Sequence, residues 1–95
     1  MSDVKVLIIE DHNLTRMGLR AALKADTAIE IVGEAANAKQ GLQLLKTLKP
    51  DVATIDIGLP DMDGVELTRL FRHFQAENDD NHTKVLMLSL IHISE

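Results

Sequence analysis

The strongest constraint on the fold is a regular alternation in the sequence. Short apolar runs alternate with longer stretches in which apolar residues recur with the period of a helix. The first run, residues 4–9, is almost continuous in β-branched and aliphatic residues, as expected for a strand covered on both faces. Between such runs, apolar residues recur three or four positions apart, which is typical of amphipathic helices. We therefore predict strands at 4–9, 29–35, 52–55 and 84–88, with a helix in each interval.

Helix start signals support these intervals. Asn13 is a candidate N-cap for the first helix. Asn37 with Gln40 resembles a capping box before the second helix, and Asp63 with Glu66 forms a similar pair before the third. The second helix should end before a Lys-Pro pair, because the residue before proline is disfavoured in helical geometry.

Alternating strands and helices imply an α/β fold in which a parallel sheet carries right-handed helical crossovers on both faces. The chain has 95 residues and no repeat or linker-like segment, so we predict one domain spanning residues 1–95. In open sheets of this kind, ligands bind beyond the carboxyl ends of the strands, where the strand order reverses. The residues at those ends are therefore the candidates for function.

Composition excludes several classes of protein. The chain has no cysteine, which excludes disulfide scaffolds, cysteine-based zinc sites and thiol nucleophiles. Its net charge of −5 argues against a nucleic-acid surface on this segment. No apolar run approaches the roughly 18 residues that span a bilayer, and the N-terminus lacks a signal-peptide pattern. We expect a cytoplasmic domain that contacts neither membrane nor nucleic acid.

Three acidic residues follow two of the predicted strands. Glu10 and Asp11 come directly after the first strand, and Asp56 ends the third. If these strands are neighbours, as in a 2-1-3-4 order, the three carboxylates converge. Like charges about 4 Å apart then repel by several kcal/mol at a surface-like dielectric. A divalent cation would offset that repulsion, and a partly hydrated all-oxygen site suits Mg²⁺, with the Gly58 carbonyl as a candidate further ligand.

Asp56 is also the candidate nucleophile. It lies at a strand tip between Ile55 and Ile57, and a carboxylate there can attack phosphorus to form an aspartyl phosphate. A metal ion beside it would neutralise charge on the transferring phosphoryl oxygens.

The sequence resembles a response-regulator receiver domain in three segments. These are an apolar strand ending in an acidic pair, an aspartate followed by a Leu-Pro loop, and an apolar strand ending in serine, at residues 6–12, 56–64 and 85–89. The Asp-His pair at 11–12, together with Arg16 and the Gly-Leu-Arg sequence at 18–20, resembles the NarL/FixJ subgroup.

The resemblance implies a flavodoxin-like doubly wound sheet of order 2-1-3-4 and a role for each matching residue. Asp56 matches the phospho-accepting aspartate, and Glu10 and Asp11 match the acidic pair that holds Mg²⁺. The backbone carbonyl of Gly58 matches a further metal ligand, and Ser89 matches the hydroxyl residue that turns toward the phosphoryl group.

The resemblance also implies partners. A sensor histidine kinase would donate the phosphoryl group, and a DNA-binding output domain, absent here, would receive the signal and regulate transcription. Such a domain modifies itself and is not a turnover enzyme. A homodimer is left open.

The chain departs from the family pattern at its end. We expect it to lack the fifth strand, with its phosphoryl-pairing lysine, and the fifth helix. Lys84 cannot replace that lysine, because it starts the fourth strand at the opposite edge from the site. Residues 89–95 resemble translated sequencing-adapter read-through, so we expect the native sequence to depart near Leu88.

Two alternatives from other classes remain. A Mg²⁺-dependent aspartyl phosphohydrolase would need a second aspartate two residues after Asp56, where this chain has Gly58. A phosphate-independent or inactive interaction fragment is the other alternative, because we expect the chain to lack the fifth strand. His12 is interpreted as a solvated loop residue, and no glycine-rich turn supports dinucleotide binding.

Overall fold

The computed structural model describes residues 3–88, which form a four-stranded parallel sheet with three helices. The strands are β1 (Val4–Ile9), β2 (Ile29–Ala35), β3 (Val52–Asp56) and β4 (Lys84–Leu88), and the helices are α1 (Asn13–Lys24), α2 (Ala38–Leu48) and α3 (Gly64–Glu77). The predicted alternation is confirmed, and the strand bounds agree to within one residue.

The sheet order is β2-β1-β3-β4, as predicted, and all three pairings are parallel. The chain moves one way across the sheet from β1 to β2 and the other way from β2 to β3 and β4. Because such crossovers are right-handed, α1 lies on the opposite face from α2 and α3. The strand order reverses between β1 and β3, so their carboxyl ends form the expected ligand-binding edge.

The core is mainly aliphatic and lies between the sheet and the helices α2 and α3. Its most completely buried large side chains come from β1, β3 and these two helices: Leu7, Ile9, Leu45, Ile55, Leu67 and Phe71. Helix α1 contributes no buried residue, and Leu14 and Met17 are 82% and 53% exposed. These two residues contribute to the helical period without facing the sheet.

Two predicted capping details are wrong. His12, not Asn13, is the N-cap of α1, and Asn13 is already helical with its side-chain oxygen accepting from Arg16. Asp63 does cap α3 by accepting from the Val65 amide at 2.6 Å. Glu66 pairs with Arg69 one turn later, so this pair is not a reciprocal capping box.

The predicted cap of α2 is confirmed. The Asn37 side chain accepts a hydrogen bond from the Gln40 amide at 2.8 Å, while Gln40 Oε1 accepts from the Ala36 amide at 3.3 Å. The helix ends at Leu48, and its C-cap, Lys49, has a left-handed φ of 47° and precedes Pro50.

Candidate functional site

The carboxyl ends of β1 and β3 bring three carboxylates together. These strands pair in register up to the last residue of β1, so Glu10 and Asp56 follow side by side. One carboxylate oxygen from each of Glu10, Asp11 and Asp56 and one ring nitrogen of His12 lie within 4.8 Å of one another. The convergence expected from a 2-1-3-4 order is present.

Burial makes this cluster electrostatically costly. Glu10 and Asp56 are only 1% and 3% exposed. Burial raises the pKa of Glu10 above its usual value, hydrogen bonds from His12 oppose that increase, and the charge of Asp56 adds to it. Burial and the neighbouring acid therefore disfavour the charged form of Glu10.

His12 is the site residue that sequence reasoning missed. Its ring is half-exposed, as expected of a loop residue, but Nδ1 lies 3.0 Å from Glu10 Oε2, 3.2 Å from Asp11 Oδ1 and 4.0 Å from Asp56 Oδ2. Its backbone amide also donates to Glu10 Oε2 at 2.9 Å. The hydrogen bond to Glu10 and the charge of Asp11 raise the pKa of His12, which favours the imidazolium. Its position directly after the acidic pair was the only signal in the sequence.

The available donors fit a hard divalent cation. Glu10 Oε1 is buried and accepts no hydrogen bond from residues 3–88, so one lone-pair direction in the cluster has no protein partner. A buried oxygen without a donor normally costs stability unless an ion or water satisfies it. Carboxylate oxygens are the ligands that Mg²⁺ prefers, so Glu10, Asp11 and Asp56 could together hold such an ion.

The loop of residues 57–63 continues directly from Asp56 and is hydrogen-bonded to its side chain. The Gly58 amide donates to Asp56 Oδ1 at 3.2 Å, which places this peptide beside the acid. Leu59 is buried and anchors the loop in the core. Gly64 ends the loop, and its amide donates to the Ile57 carbonyl at 2.7 Å.

The same loop is tied to the start of α2. Asp61 Oδ1 accepts from the Ala38 amide at 2.7 Å, and Oδ2 accepts from the Lys39 amide at 3.0 Å. These bonds lower the pKa of Asp61 below its usual value. This contact was not predictable from local patterns, because Asp61 and its partners are 22 and 23 residues apart in the sequence.

The prediction that Lys84 starts the fourth strand, at the opposite edge from the site, is confirmed. Lys84 begins β4 and lies four residues from Leu88, which pairs with Asp56. At roughly 3.3 Å per residue, Lys84 is at the far end of the strand from the site. Ser89 lies outside the described residues.

Comparison with known proteins gives consistent matches. A family model described as the response regulator receiver domain matches residues 6–95. The transcriptional regulatory protein LiaR of Bacillus subtilis is 44% identical over 66 residues, which cover 70% of this chain and 31% of LiaR. The response regulator protein VraR of Staphylococcus aureus is 40% identical over 86 residues, which cover 90% of this chain and 39% of VraR.

Solved structures agree on the fold. The signal receiver domain of the response regulator NarL from Mycobacterium tuberculosis superimposes with a TM-score of 0.85 at 33% identity. The alignment covers 96% of this chain and 69% of that one. The chain thus spans well under half the length of LiaR and of VraR, although it aligns with most of the NarL receiver structure.

None of the helices within residues 3–88 combines the length and the apolar character needed to cross a bilayer.

Proposed function

The chain belongs to the response regulator receiver domain family, and from that premise we propose that it accepts a phosphoryl group on Asp56 with the help of Mg²⁺. The observation that carries the proposal is the convergence of Glu10, Asp11 and Asp56 at the carboxyl ends of two adjacent parallel strands. Folding alone does not favour three carboxylates in this space, and a cation-dependent reaction gives them a role.

Asp56 is the proposed nucleophile. Its Oδ1 accepts from the Gly58 amide, so the carboxylate has a fixed orientation, while Oδ2 lies toward the acidic cluster. In the proposed reaction an Asp56 oxygen attacks phosphorus, and the bond from phosphorus to the donor histidine nitrogen breaks. The electron pair of that bond leaves with the imidazole, and Asp56 becomes an acyl phosphate.

Glu10, Asp11, Asp56 and the Gly58 carbonyl would hold the Mg²⁺ ion. When bound, that ion neutralises negative charge on the transferring phosphoryl oxygens. The carboxylates of Glu10 and Asp11 would help to hold it, and Glu10 is the more deeply buried of the two.

We assign the donor to a sensor histidine kinase and the output to transcription regulation. Support comes from the relatives, since LiaR is named a transcriptional regulatory protein and VraR a response regulator. The net charge of −5 supports an output that does not involve direct contact between this segment and nucleic acid. Self-association and a switch role for Ser89 stay predictions.

The proposal is tested by incubating the chain with Mg²⁺ and acetyl phosphate and measuring its intact mass. We expect an adduct of one phosphoryl group, with acetate as the leaving product, that Asp56→Asn abolishes. Asp79→Asn, which changes an exposed aspartate in the segment between α3 and β4, is the matched control and should keep the adduct.

Two results would contradict the proposal. Steady release of phosphate over many turnovers would indicate a phosphohydrolase. A chain that is folded, as judged by circular dichroism, but forms no adduct would indicate a phosphate-independent interaction fragment.

A further inference from the structure

Arg16 lies next to the backbone that carries Glu10 and Asp11 at the end of β1. It is on the second turn of α1, and its side chain is 20% exposed. Its Nη1 donates to the backbone carbonyl of Glu10 at 2.7 Å, and Nη2 donates to the Asn13 side chain. Its Nε lies 3.2 Å from Glu34 Oε1 on β2. One guanidinium thus joins the end of β1, the start of α1 and the end of β2.

The bond to the Glu10 carbonyl has a particular consequence. This carbonyl belongs to the peptide that links Glu10 to Asp11. Arg16 therefore restrains the orientation of the peptide plane that joins the Cα atoms of these two residues. The Glu10 amide, on the other side of the residue, donates to the Ala35 carbonyl at 2.9 Å. Hydrogen bonds therefore hold Glu10 on both sides.

Glu34 in turn orients the guanidinium. It is partly buried, and its second oxygen accepts from Arg20 Nη1 at 3.0 Å. Arg16 and Arg20 therefore share one carboxylate, but the hydrogen bond to the Glu10 carbonyl comes from Arg16. Replacing Arg20 therefore tests the contact between α1 and β2. Replacing Arg16 also tests the hydrogen bond to the Glu10 carbonyl.

We propose that Arg16 is a positioning residue that sets the separation of the Glu10 and Asp11 carboxylates for the cation. The inference rests on the proposed function. It reaches beyond it by assigning a role to a residue that has no place among the metal ligands or the reacting groups. Partners that orient metal ligands typically affect metal affinity by about 10- to 100-fold when removed.

Electrostatics alone predicts the opposite effect. A guanidinium near a cation site repels the cation, so its removal should strengthen Mg²⁺ binding through Coulomb's law. Loss of positioning should weaken binding instead. The sign of the change in Mg²⁺ affinity therefore distinguishes the two roles.

The test is a calorimetric titration of the 95-residue chain with MgCl₂ at fixed ionic strength. We expect Arg16→Met to raise the dissociation constant roughly tenfold. Arg16→Lys should raise it less, because lysine keeps the charge and a donor but lacks the planar fork that reaches three partners. Arg20→Met is the matched control and should stay within about twofold, since it removes only the shared contact with Glu34.

A second measurement separates positioning from general destabilisation. The rate of phosphorylation by acetyl phosphate should fall in Arg16→Met at low Mg²⁺ and recover at saturating Mg²⁺. Circular dichroism establishes the temperature at which each variant is folded, and if Arg16→Met does not fold, Arg16→Lys provides the comparison with Arg20→Met.

Unchanged or tighter Mg²⁺ binding in Arg16→Met would overturn the inference, as would an equal loss in Arg20→Met. Failure of the proposed function has a different signature, because the unmodified chain would then bind no Mg²⁺ and form no adduct.

Discussion

Glu10 is a residue of the candidate site whose burial is expected to lower the free energy of unfolding. It is 1% exposed, one of its oxygens accepts no hydrogen bond from residues 3–88, and its pKa is raised by burial. A buried charged group without full compensation lowers the free energy of unfolding. Such groups are retained where binding needs them.

Glu10→Gln is therefore expected to stabilise the metal-free chain while weakening metal binding. Removing the charge should raise the free energy of unfolding by about 1 kcal/mol, which corresponds to a melting temperature roughly 4–8 °C higher for a domain of this size. The increase in melting temperature on adding Mg²⁺ should shrink, because that increase depends on the affinity for the ion. Thermal melts with and without MgCl₂ measure both effects.

Glu30→Gln, which neutralises an exposed glutamate on β2, is the matched control and should change neither quantity appreciably. A lower melting temperature for metal-free Glu10→Gln would show that the hydrogen bonds from His12 outweigh the cost of burying the charge.

Gly64 and Gly58 look alike in the sequence but differ in the structure. A Cβ on Gly64 would lie 2.2 Å from the Asp56 carbonyl oxygen, whereas a Cβ on Gly58 would meet nothing within 4 Å. No described glycine has a positive φ, so close approach of the backbone is the requirement at Gly64.

Gly64→Ala should consequently lower the free energy of unfolding by about 1–3 kcal/mol, because backbone near Asp56 must move to admit the methyl group. Gly58→Ala should change it by no more than about 0.5 kcal/mol. Urea denaturation of the two variants checks the difference. Equal effects would mean that the loop has a different conformation in solution.

At the scale of elements, hydrogen bonds between the 57–63 loop and the start of α2 hold this loop in place beside Asp56. Asp61 satisfies two amides in the first turn of α2, while Asn37 satisfies a third. The helix start is thus completed by a residue from the loop that follows β3. The loop that carries Gly58 is fixed to the neighbouring helix.

The Asp61 contact should make stability depend on pH in a defined direction. Its pKa is lowered in the folded state by the Ala38 and Lys39 amides. The stabilisation is therefore complete above the ordinary aspartate pKa of about 3.9 and is lost as pH falls through the lowered folded value. Asp61→Asn should melt a few degrees lower than the unmodified chain at pH 7, and the difference should shrink in strong acid.

Melting temperatures measured from pH 7 down to pH 3 would test this expectation. Asp3→Asn makes the same chemical change at an exposed aspartate and is the control. The difference in stability between Asp3→Asn and the unmodified chain is not expected to shrink as the pH falls. A difference between Asp61→Asn and the unmodified chain that stays constant with pH would contradict the assignment.

At the scale of the whole molecule, stability is distributed unevenly over the two faces of the sheet. The larger buried core lies on the side of α2 and α3, whereas α1 contributes no fully buried side chain and exposes Leu14. The apolar period that predicts α1 therefore includes residues that are only half-buried, such as Leu23, and residues that are exposed, such as Leu14.

Truncation of two leucines should show this asymmetry. Leu45→Ala, in the core, is expected to lower the free energy of unfolding by about 2–5 kcal/mol, because it leaves a cavity. Leu14→Ala should change it by no more than about 0.5 kcal/mol. Urea denaturation at two protein concentrations measures both. A large, concentration-dependent effect at Leu14 would show that another copy of the chain covers α1.

Much of the fold was predictable because the relevant signals are local. The strand bounds follow from continuous apolar runs, and the start of α2 follows from Asn37 and Gln40, which lie within one turn of each other. The cap of α1 was misplaced by one residue, since both His12 and Asn13 are polar and only the backbone angles decide between them. Asp63 was correctly predicted as the N-cap of α3. Glu66 pairs instead with Arg69, and the sequence does not show which nearby group its side chain contacts.

The sequence by itself determined the alternation of elements and the identity of Glu10, Asp11 and Asp56 as candidates, because both depend on spacing along the chain. Only the tertiary structure decided that His12 turns toward these acids and that Arg16 reaches the carbonyl of Glu10. It also decided that Asp61 closes the first turn of α2. These contacts depend on side-chain direction and on the packing of elements distant in sequence, which the periodicity of a single chain does not record.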